Sequence, residues 1–66
     1  MCAEATELLA AFRAAVAKHS DAVHGMVDAA DNDRAFAGAA ANEEAAQKAR
    51  RDTYRALMQH VKTHGC

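Results

Sequence analysis

Proline, isoleucine and tryptophan are absent from this 66-residue sequence, and glycine occurs three times. Without proline, nothing locks φ or removes a backbone donor, so no residue forces an element to end. No run alternates β-branched with polar residues, which excludes strand patterning. Three isolated glycines leave no glycine-rich phosphate loop, and no Gly-x-Ser-x-Gly elbow or paired-carboxylate cleft is present. The two cysteines, Cys2 and Cys66, sit at the chain ends and provide none of the usual paired spacings of a zinc finger. Charge of one sign is missing too. The net charge is −1 and the pI about 6.4, which argues against a duplex-binding module with a basic face. No window approaches the roughly 18 apolar residues of a membrane span. The opening MCAEATELLAAF has no basic stretch and no long apolar run, so no signal peptide is expected. The expectation is a soluble, cytoplasmic protein with reduced thiols.

Alanine dominates what is there. Hydrophobic residues make up 52% of the chain, but 19 of those 34 are alanine. Large apolar side chains reduce to Leu8, Leu9, Phe12, Val16, Val23, Met26, Val27, Phe36, Tyr54, Leu57, Met58 and Val61. Alanine favours helix yet buries little area. A single domain of this length, spanning 1–66, therefore needs a staple, a metal or a second copy to reach ordinary stability.

Apolar positions at Cys2, Ala5, Leu9, Phe12, Val16, His19, Val23, Met26 and Ala30 alternate three-then-four spacings. That predicts a helix from about 3 to about 29, widened by Leu8, Ala15 and Ala22. Gly25 falls within it, at a cost of roughly 1 kcal/mol. The polar stretch Asp28–Asp33 predicts a turn, with Asp31, Asn32 or Asp33 capping the second helical region. Gly38 and Asn42-Glu43-Glu44 predict a short helix near 33–40 and a main helix from about 43 to 63. Gly65 is the expected C-terminal cap. The second helix carries one stripe through Phe36, Ala40, Glu43, Gln47, Arg50, Tyr54, Leu57, Val61 and His64. A second, nearly all small, runs through Ala39, Ala46, Ala49, Thr53, Ala56 and His60. The expected fold is all-α: an antiparallel helical hairpin that pairs into a four-helix bundle.

Antiparallel packing brings the chain ends together. His60 and His64, four apart, share a helix face. With Cys2 and Cys66 they make a candidate tetrahedral site, for which zinc is the fitting ion. A Cys2–Cys66 disulfide is the competing expectation, and helix-end histidines with no ligand the plainest. His19 lies on the first seam, across from Glu43 or Gln47. Haem fits poorly, since His19 and His64 lie far apart along the hairpin and no Cys-x-x-Cys-His is present. A di-metal carboxylate site needs a histidine three residues after a glutamate, and none occurs. Lys48, Arg50, Arg51 and Arg55 form a basic patch, diluted by Glu43, Glu44 and Asp52, that reads as a solvated face.

No catalytic constellation is left, so an enzyme is not expected and no nucleic-acid or membrane partner is implied. The expected function is a protein-interaction or assembly module, either dimerising with itself or docking on a larger protein. Its face comprises Leu8, Leu9, Phe12, Val16, Tyr54, Leu57, Met58 and Val61. The alternative is a small metal- or redox-responsive protein using the terminal cluster Cys2, His60, His64 and Cys66.

Overall fold

Alanine-rich, proline-free sequence leaves helix as the default backbone state, and only the Asp28–Asp33 stretch interrupts it. In a computed structural model, which describes residues 2–64, α1 spans Ala3–Asp28 and α2 spans Asp33–His64. Together they make up 92% of the described residues, and no strand occurs among them. The two helices pack along their length as an antiparallel hairpin.

The turn closes by backbone hydrogen bonds. Ala29 N–H donates to the Gly25 carbonyl at 3.1 Å, and Asn32 N–H to the Ala29 carbonyl at 3.0 Å. Asn32 is the cap that the sequence offered. Its Oδ1 accepts from the Ala35 N–H at 3.0 Å, satisfying one of the donors exposed at a helix start. At the other start, Cys2 occupies the cap position, and its side chain makes no capping hydrogen bond to α1.

The expected break near 33–40 does not form. α2 is one continuous helix through Gly38 and Asn42. Gly38 has alanines on both sides of it, and a glycine cost of roughly 1 kcal/mol is less than that of ending one helix and starting another, each with unsatisfied backbone groups. The Gly65 cap lies outside the described residues.

At Ala15, Ala22 and Thr53 the seam takes the smaller of two neighbouring candidates. On α1 the covered positions include Ala5, Leu8, Phe12, Ala15, His19, Ala22, Met26 and Ala29, while Val16 and Val23 stay exposed. On α2 they are Ala39, Ala40, Glu43, Ala46, Thr53, Leu57 and His60. This line crosses between the two stripes legible in the sequence, leaving Phe36, Tyr54 and Val61 outside. Small residues facing each other let two backbones approach closely, and the larger neighbours are displaced to the flanks.

The resulting core is thin. The buried apolar residues are Ala5, Ala15 and Leu57, and His60 is the buried polar one. The hairpin is a rod with extents 47 × 14 × 10 Å and a radius of gyration of 15.0 Å. A compact domain of this length would have about 11 Å. No described helix is long and apolar enough to cross a membrane.

Candidate functional site

At the open end of the hairpin, the N-terminus of α1 meets the C-terminus of α2. Cys2 Sγ lies 3.0 Å from His60 Nε2. Glu4 Oε2, one turn into α1, lies 3.3 Å from His60 Nδ1. His64 stacks on His60, with ring centroids 4.6 Å apart and planes inclined by 25°. His60 is 7% exposed, whereas Glu4 and His64 are open to solvent. One ligand atom from each of Glu4, His60 and His64 falls within 4.8 Å of the others. Cys2 is disulfide-bonded, so its sulfur carries no hydrogen and accepts one from His60 Nε2. Of the four residues expected here, Cys2, His60 and His64 come together, and Cys66 lies outside the described residues. Glu4 is the member that sequence reasoning missed. The register that sets Cys2 beside His60 also brings the first turn of α1 near it, but whether Glu4 reaches the ring depends on its side-chain conformation.

At mid-length, His19 meets Glu43, as the hairpin register implied. His19 Nε2 and Glu43 Oε2 are 2.7 Å apart, both partly buried. Arg50 Nη1 reaches His19 Nδ1 at 3.3 Å. With its hydrogen on Nε2, the ring donates to Glu43 and accepts from Arg50, so both nitrogens are satisfied. This contact joins the helices across the seam and pins their register.

Of the expected interaction residues, Leu57 is inside the hairpin and Leu8, Leu9 and Phe12 are half-buried. Val16, Tyr54, Met58 and Val61 remain exposed, as do Val23, Val27 and Phe36. Tyr54, Met58 and Val61 follow helical i, i+4, i+7 spacing and form one stripe. Phe12 packs on Tyr54, ring centroids 5.6 Å apart and planes at 54°, which ties this stripe to α1. An open groove of about 430 Å³ runs beside this pair, bordered by Gln47, Arg50, Arg51 and Arg55. Elsewhere a shallower groove lies among Lys18, Asp21, Ala22, Gly25, Ala39, Asn42 and Ala46.

Charge is polarised along the rod. The half nearest the turn, residues 18–47, holds the bases Lys18 and Arg34 and the acids Asp21, Asp28, Asp31, Asp33, Glu43 and Glu44, a net of −4. The half nearest the chain ends holds Arg13, Lys48, Arg50, Arg51, Arg55 and Lys62 against Glu4, Glu7 and Asp52, a net of +3. Within that half, Lys48 Nζ donates to Asp52 at 2.8 Å. This bond holds the Asp52 carboxyl below its ordinary value, with further help from the charges of Lys48, Arg55 and Arg51.

No protein-family model, no curated protein and no solved structure matches the chain.

Proposed function

We propose that this chain is a protein-interaction module that assembles with a second copy of itself, two hairpins lying side by side as a four-helix bundle. One observation carries the reading. Among the described residues the hairpin fully buries only Ala5, Ala15 and Leu57 of its apolar side chains, while seven large ones stay exposed. These side chains keep 38–69% of their surface exposed, and covering apolar surface is favourable by roughly 25 cal/mol per Å². The charge polarity favours a second copy over an unrelated partner. Antiparallel pairing of two rods sets the +3 half of each beside the −4 half of the other. A standard interface takes about 800 Å² per partner, about a sixth of the 4860 Å² surface of the hairpin. One long side of the rod can supply it. The role assigned is binding, not catalysis.

The test is association of the wild type and of Val16→Asp and Met58→Asp. Both side chains are exposed in the single hairpin, so neither substitution disturbs its core. A concentration-dependent dimer that each variant dissociates is the expected result. A hairpin that folds fully as a monomer removes the assembly proposal and leaves docking on a larger protein.

A second reading, a small metal- or redox-responsive protein, is supported by the chain-end cluster. Cys2 is disulfide-bonded, and the only other cysteine in the sequence is Cys66. A Cys2–Cys66 bridge would close a loop of nearly the whole chain and add about 2–4 kcal/mol. It fits an oxidising compartment or a redox-responsive staple better than a reducing cytoplasm. Thiol titration of the unfolded, unreduced chain should find no free thiol, and reduction should lower the melting temperature. Two free thiols in protein kept from reductants would overturn the bridge.

A further inference from the structure

We propose that Glu4, His60 and His64 form a binding site for a divalent transition-metal ion of the zinc type, which clamps the start of α1 to the end of α2. The proposal rests on the metal-responsive reading and changes its ligand set.

The chemistry of the donors is right. Two imidazoles and a carboxylate are a set that zinc, nickel or copper accepts, leaving one position for water. The geometry agrees. Ligand atoms about 2.0–2.1 Å from a tetrahedral ion lie about 3.3–3.4 Å from one another. Glu4 Oε2 and His60 Nδ1 are 3.3 Å apart, and one ligand atom from each of Glu4, His60 and His64 lies within 4.8 Å of the others.

The tautomer gives the site its logic. The half-cystine sulfur of Cys2 can only accept, and the His60 tautomer with its hydrogen on Nε2 satisfies that contact. In that tautomer the Nδ1 lone pair faces the Glu4 carboxylate at 3.3 Å, and a metal ion takes both as ligands while engaging His64 as well. The second ring nitrogen of a metal-bound histidine is usually held by a hydrogen bond, and Cys2 takes that place. Cys2 thus supports the ligand His60 from the opposite ring edge and cannot share the ion bound at Nδ1. The helix ends add to the balance. The C-terminus of α2 favours a cation, and Glu4 offsets the positive N-terminus of α1.

The experiment is titration of the full, oxidised chain with Zn²⁺ and with Co²⁺ as a visible probe, on the wild type and on Glu4→Gln and His64→Ala. Both altered side chains are solvent-exposed, so the hairpin persists in each. One ion per chain should bind, move the ¹⁵N signal of His60 Nδ1 and raise the melting temperature reversibly with a chelator. Each variant should lose at least about ten-fold in affinity, the lower end of what losing even a ligand's support costs. Wild-type affinity in both variants overturns this ligand set while metal binding survives elsewhere. No binding by the wild type overturns the site and the metal-responsive reading together.

Discussion

Gly25 and Gly38 sit inside helices with open space where a Cβ would go. Neither has a conformational need for glycine, and each leaves the unfolded chain more freedom to lose. Gly25→Ala and Gly38→Ala should each stabilise the fold by about 0.5–1 kcal/mol, read by denaturant titration. A loss of stability at Gly25 would mean that another backbone lies against it. The pH response of Asp52 also belongs at this scale. Its carboxyl is lowered by Lys48, so its contribution is present above the ordinary carboxylate value and fades as pH falls through the lowered one. Lys48→Ala should return the Asp52 titration, followed by NMR, toward the ordinary value. An unmoved titration would contradict the Lys48 assignment. Individual contacts were partly legible in the sequence. Heptad register set His19 opposite Glu43 or Gln47, and the structure pairs it with Glu43. Glu4 on His60 and Arg50 on His19 depend on how far long side chains reach, which periodicity does not encode.

The helix boundaries were readable because caps and composition agree. Asn32 caps α2 as its residue type suggests, and Asn32→Ala should cost about 1 kcal/mol. Equal stability of that variant would show the cap bond to be idle. Gly38 and Asn42 were over-read as a break, because local signals do not weigh the continuous packing against α1 that keeps α2 whole. The expected seam holds at Cys2, Ala5, Phe12, His19 and Met26 and shifts by one residue at Val16 and Val23, to Ala15 and Ala22. Periodicity points the larger apolar residue of each turn inward, toward Val16, Val23 and Tyr54. Close approach of two backbones instead selects Ala15, Ala22 and Ala46, which the sequence offered as the flank of the first seam and as the small stripe of the second helix. Ala15→Leu tests this directly. Ala15 is 7% exposed, so the added bulk should push the helices apart and destabilise by about 1–3 kcal/mol. A stabilised variant would place the true seam at Val16.

For the molecule as a whole, the proposed pairing rests on a rod 47 Å long whose fully buried apolar residues are two alanines and one leucine among the described residues. Its opposed half-charges would give the proposed pairing a direction and a salt dependence. Screening over about 10 Å at 0.1 M salt should weaken the antiparallel pair, and low salt should strengthen it. The hydrophobic stripe should hold part of the association at high salt, because apolar burial is not screened. Sedimentation equilibrium across a wide concentration range tests the assembly claim most directly. The account predicts a mass twice the 7.0 kDa of the chain, with Val16→Asp and Met58→Asp shifting it toward the single-chain value. A 7.0 kDa species at every concentration, with an unfolding midpoint independent of concentration, would contradict it.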